Sequence, residues 1–85
     1  MAAPSDKEVQ VLLDRLCIDL GLCLPSADQQ QLVADPPEDP IEFTNDVFRR
    51  EGLSIEEAPL SLYRQVRDCV AEIFRQAAEA EDRTT

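Results

Sequence analysis

The chain has 85 residues, with eighteen Asp and Glu against eight Lys and Arg, no His, and a formal net charge of −10. Nucleic acid and anionic membrane surfaces are disfavoured partners, because both draw affinity from cations placed on phosphates. Hydrophobic residues make up 44% of the chain, enough for one small domain and too many for a disordered acidic tail.

Only two glycines, Gly21 and Gly52, interrupt the chain, whereas an all-β domain needs many tight turns. The expected fold is therefore all-α: a small compact bundle of four main helices plus one short helical turn. Four helix starts share one signature, an oxygen-bearing side chain followed three residues later by Glu or Gln. They are Ser5…Glu8, Ser26…Gln29, Asp39…Glu42 and Ser54…Glu57. The first side chain accepts from an orphan backbone N–H, and the second reaches back to the cap residue.

Residues 1–5 are expected to be a flexible start. The first helix is predicted from about Asp6 to Leu20, with Val9, Leu12, Leu13, Leu16 and Leu20 on one face and Gly21 as its stop. A short second helix follows from about Ala27 to Ala34, with Leu32 and Val33 inward. The segment Asp35-Pro-Pro-Glu-Asp-Pro40 then forces an extended acidic connection, since each proline restricts the residue before it.

The third helix is predicted from about Pro40 to Glu51, with Ile41, Phe43, Val47 and Phe48 inward and Gly52 ending it. Ser54 to Glu57 should form a single turn. The last helix, about Leu60 to Ala80, buries Leu62, Tyr63, Val66, Cys69, Val70, Ile73, Phe74 and Ala77 and carries Arg64, Asp68, Glu72 and Arg75 opposite. Residues 81–85 should fray, leaving 6–80 as a single helical domain. The prolines flanking the third helix, and its shortness, favour an orthogonal arrangement over an up-and-down one.

Nucleophilic catalysis of the Ser–His or Cys–His kind needs an imidazole, which the chain lacks. The crowded acids Asp35 to Asp46 have no glycine for a calcium loop, and prolines stand where that loop must bend. Cys17, Cys23 and Cys69 are odd in number and without C-x-x-C spacing, so no metal or cofactor is expected. Met1-Ala-Ala-Pro-Ser-Asp-Lys-Glu has no basic region or apolar run of a secretory signal. The expected state is a cytoplasmic protein with reduced thiols, a Cys17–Cys23 redox pair being the alternative.

Ser26 stands at a second-helix start, where acyl carrier proteins attach phosphopantetheine. Its context, Leu24-Pro25-Ser26-Ala27-Asp28, lacks the Asp-Ser-Leu motif of that family, and a plain helix cap is the expected role. In size, acidity and helix count the whole chain resembles the colicin-type immunity proteins, four-helix inhibitors of basic nuclease toxins. The short helix of that family carries paired tyrosines, whereas the turn here reads Ser54-Ile-Glu-Glu-Ala-Pro59. The resemblance implies an inhibitor that caps a basic protein.

Two surfaces are candidates for binding. Asp35, Glu38, Asp39, Glu42 and Asp46, with Glu56 and Glu57 beside them, form an acidic surface suited to a basic protein partner. Val11 and Ile18, seven residues apart and off the core face, with Leu22 extending them, form an apolar stripe suited to self-association. The expected function is a non-enzymatic, acidic protein–protein interaction module of the immunity or antitoxin kind. The alternative is a small homodimeric regulatory or adaptor protein joined through the first-helix stripe.

Overall fold

Four helices account for the chain in this computed structural model, which describes residues 4–54 and 56–84, with side-chain environments up to residue 79. Helix α1, Asp6–Leu20, opens on a complete capping box. The Ser5 hydroxyl accepts from the Glu8 N–H at 3.2 Å, and the Glu8 carboxylate accepts from the Ser5 N–H at 3.0 Å. The flexible start expected at 1–5 thus falls partly on Met1–Ala3, outside the described residues. Its remainder, Pro4 and Ser5, is a buried proline and the cap itself.

Helix α1 ends where Gly21 takes a left-handed conformation, φ +73°, which a side chain would oppose. The Gly21 N–H donates to the Cys17 carbonyl at 3.0 Å and the Leu22 N–H to the Leu16 carbonyl at 3.1 Å. These bonds turn the chain back over the end of its own helix. Leu22 and Leu24 consequently enter the core.

Helix α2, Ser26–Ala34, starts one residue earlier than expected and has no side-chain cap. Pro25 occupies the cap position, so Ser26 is already helical and its hydroxyl does not serve the orphan amides. Gln29 has a different task from the predicted one: its amide donates to the Leu24 carbonyl at 2.8 Å and accepts from the Gln10 amide at 3.1 Å. It ties α1, the connection and α2 together.

Helix α3, Pro40–Arg50, begins at the predicted residue, with the Asp39 carboxylate accepting from the Ile41 N–H at 2.7 Å and Pro40 in the first turn, but Glu42 does not reach back to the cap residue as Glu8 does in α1. Phe43, Thr44, Val47 and Phe48 are buried, and the Thr44 hydroxyl donates to the Pro40 carbonyl at 2.8 Å. Ile41, expected inward, is 46% exposed. At 100° per residue it lies about 90° from the centre of the buried arc, in the first turn, where no neighbour covers it.

The turn after α3 carries two backbone bonds to the Ser54 carbonyl, from Glu57 and Ala58. Helix α4, Leu60–Thr84, runs four residues beyond the predicted end at Ala80, so the backbone of Glu81–Thr84 continues the helix where fraying was expected. Its length, about 37 Å at 1.5 Å per residue, sets the longest dimension of the molecule, 42 Å. The radius of gyration is 12.5 Å, close to the ~12 Å of a compact chain of this size.

The principal packing pairs are α1 with α2, α1 with α4, and α3 with α4. In space the order is therefore α2–α1–α4–α3, with the longest helix holding the first and third. Val66, Val70, Ile73 and Phe74 of α4 meet Val9, Leu12 and Leu16 of α1 and Phe43, Val47 and Phe48 of α3 in one core. Phe74 meets Phe43 edge-on at 5.9 Å between centroids. Tyr63 lies against Phe48 at 5.5 Å and donates its hydroxyl to the Asn45 side chain at 2.9 Å, so its polar end is also satisfied.

The thiols differ from expectation. Cys17 and Cys23 form a disulfide, their Cα atoms 4.3 Å apart, and Cys69 alone is free. The bond joins the pair given above as the alternative to reduced thiols. The left-handed turn at Gly21 brings them together, because it folds residue 23 back beside the last turn of α1.

Candidate interaction surfaces

The acidic residues occupy the α2–α3 connection and the outer side of α3. Asp35 ends α2, Glu38 and Asp39 lie in the connection, and Glu42 is in the first turn of α3. All four are exposed. Asp39, Glu42 and Asp46 follow one line along the helix, three and four residues apart. Asp39 and Glu42 also sit at the positive end of the α3 dipole, which favours their charge. Among the described residues no Lys or Arg pairs with Asp35, Glu38, Asp39 or Glu42 within 4 Å. Glu56 and Glu57 are exposed as well, in the turn after α3.

Asp46 is not part of that free surface. Its carboxylate accepts from Arg50 Nε at 3.0 Å and lies 4.0 Å from the exposed Arg49 guanidinium. Arg50 Nη1 donates to Asp28 at 2.8 Å and to the Gln31 side-chain carbonyl at 2.8 Å. One guanidinium thereby fastens the end of α3 to two successive turns of α2. The Asp46 bond holds the Arg50 pKa above its ordinary value; burial opposes it, and the Asp28 bond reinforces it. Spacing of four residues on one helix suffices to bring Asp46 to Arg50, but no local spacing points to Asp28 and Gln31. That contact joins elements distant along the chain.

Val11 and Ile18 are exposed, at 45% and 81%. Leu22 is only 7% exposed and belongs to the core, so it does not extend their stripe. The charged Asp14 and Arg15 lie between Val11 and Ile18 on the helix and are exposed too. The apolar stripe is therefore two side chains flanking a charged pair. Leu53 and Leu60, which the sequence reading did not single out, are exposed at 39% and 63%.

No enclosed pocket opens among the described residues, and no group of three or more potential metal ligands occurs among them. No helix among the described residues is long and apolar enough to cross a membrane. No known protein family matches the chain, and neither a curated protein nor a solved structure matches it.

Proposed function

We propose that this protein is a non-enzymatic, acidic interaction module that caps a basic protein, in the manner of an immunity protein or antitoxin. The observation that carries the reading is the run Asp35, Glu38, Asp39 and Glu42, exposed and without a cationic partner among the described residues. Unneutralised carboxylates on one surface accelerate encounter with a basic partner and repel acidic ones. The proposal places the protein in the cytoplasm.

The test compares capture of a partner from native lysate by the natural chain and by the triple variant Glu38→Gln, Asp39→Asn, Glu42→Gln. Asn caps a helix as well as Asp does, so the fold should stand. A basic partner retained at low salt by the natural chain, lost at high salt and lost by the variant supports capping. Equal retention by both chains would remove the acidic surface from the interaction.

The exposure of Ile18 favours a second reading, a homodimer joined through α1. Val11→Asp with Ile18→Asp should then shift sedimentation from dimer to monomer with the helical signal unchanged. A natural chain that sediments as a monomer at all concentrations would end this alternative.

A further inference from the structure

We propose that the Cys17–Cys23 disulfide is a reversible redox clasp on the α1–α2 connection, opened at Cys23 by neutral or cationic thiols and reclosed by small-molecule disulfides while the cap of α1 holds its two thiols together. The proposal is independent of the capping function. Its first support is accessibility: Cys23 is exposed on the connection, whereas Cys17 is half-buried in the last turn of α1. A low-molecular-weight thiolate reaches Cys23 Sγ more readily. Attack there forms a mixed disulfide on Cys23, and Cys17 Sγ leaves with the bonding electron pair and takes a proton from water. A second thiolate attacks the small-molecule sulfur of the mixed disulfide and releases Cys23 as thiolate, which is protonated in turn. Two thiols are oxidised to one small disulfide, and the protein bond is reduced by two electrons.

The second support is what remains when the bond is open. The Gly21 and Leu22 N–H bonds to the Cys17 and Leu16 carbonyls do not involve sulfur. Leu22 and Leu24, on either side of Cys23, are buried in the core, and the Leu24 carbonyl is held by Gln29. The two thiols stay adjacent in the reduced chain, so a small-molecule disulfide, attacked by one protein thiolate and then displaced by the other with release of two small thiols, re-forms the clasp within the molecule and not through Cys69, which lies on α4 against the core.

The third support is charge. The last turn of α1 contains no basic residue, Asp14 and Asp19 are exposed on the same helix, and its two cations, Lys7 and Arg15, lie before that turn. The helix end adds its own negative dipole, and the whole chain carries −10. An anionic thiolate meets a repulsive field that a zwitterionic cysteamine thiolate does not.

The experiment uses the full chain purified without reductant. Alkylation with iodoacetamide under denaturing conditions, read by mass spectrometry, should add one group before reduction and three after it. Reduction by cysteamine, mercaptoethanol and mercaptopropionate is then timed at equal thiolate concentration, each normalised to an uncharged reference disulfide. Cysteamine should exceed mercaptopropionate by about tenfold at low salt, and the ratio should approach one at high salt. The reduced chain should keep its helical circular dichroism and return on air oxidation to a monomer with one alkylatable thiol. Cys69→Ser should behave identically, with none before reduction and two after. Three reactive cysteines before reduction, loss of helix on reduction, disulfide-linked dimers on reoxidation, or equal normalised rates would each overturn the proposal.

Discussion

Glu51, the residue that closes α3, has one carboxylate oxygen, Oε1, buried without a hydrogen-bond partner among the described residues. Burial first, and the nearby Asp28 charge second, push its pKa above the usual carboxylate value. A carboxyl raised in the folded state binds its proton more tightly there than in the unfolded chain. The ionised form is therefore a penalty, fully present above the folded pKa and absent below the unfolded one. Glu51→Gln should accordingly raise the melting temperature at pH 7, and the gain should disappear below about pH 4, under the unfolded carboxylate pKa. A variant no more stable at pH 7 than the natural chain would show that water reaches the oxygen. Phe74 presents the apolar counterpart. Buried to 8% exposure and edge-on to Phe43, it should cost about 3–5 kcal/mol when replaced by Ala, read from urea unfolding. A loss below about 1 kcal/mol would place it outside the core.

Among the elements, α2 is the least secured by packing. It spans nine residues, has no side-chain cap and buries only Leu32 fully, and an isolated helix of this length is marginal in water. Its docking rests in part on polar ties, from Gln29 to Gln10 and from Arg50 to Asp28 and Gln31. Arg50→Met keeps the apolar stem and removes the Arg50 bonds to Asp28 and Gln31, together with that to Asp46, leaving the Gln10–Gln29 bond in place. It should cost about 1–2 kcal/mol, the range for charge-assisted bonds at a half-buried position. Amide exchange should quicken in α2 before it does in α4, and unchanged α2 exchange would mean that Leu32, Val33 and the Gln29 bonds hold the helix without Arg50. Gly21 tests the connection in another way. A Cβ there would meet no atom within 4 Å, so Gly21→Ala should cost about 1 kcal/mol through its positive φ alone. The same loss should appear with the disulfide closed or open, because the strain is in the backbone.

For the molecule as a whole, net charge governs behaviour more than any single pair. With −10 on a chain whose radius of gyration is 12.5 Å, self-repulsion opposes the compact state, and salt screens it over roughly 10 Å at 0.1 M. Moderate sodium chloride should therefore raise the melting temperature. The triple variant Glu38→Gln, Asp39→Asn, Glu42→Gln, with three fewer negative charges, should gain less from added salt. A melting temperature that falls with salt in both chains would mean that the ion pairs around Arg50 outweigh the repulsion.

Much of this molecule is determined locally and was legible from the sequence. Ser5 with Glu8, Asp39 with Pro40, and the glycines at 21 and 52 mark helix ends through bonds spanning a few residues. Apolar spacing at 3.6 residues found the buried faces of α1 and α4, because a helix fixes its own periodicity. The exposed positions of Glu38 and Asp39 were legible from the acidic, proline-bounded connection, and that of Glu42 from its place in the first turn of α3. Other features were decided only in three dimensions. Leu22 passed from a proposed binding stripe into the core because the chain reverses at Gly21, and that reversal also joined Cys17 to Cys23. Ile41 fell outside the core, since being apolar does not provide a neighbour to cover it. Arg50 stands four residues after Asp46 and is locally placed to pair it, but its reach to Asp28 and Gln31 depends on how α3 lies against α2. Local bonds and periodicity are properties of consecutive residues, whereas burial and pairing between helices depend on which faces the fold brings together.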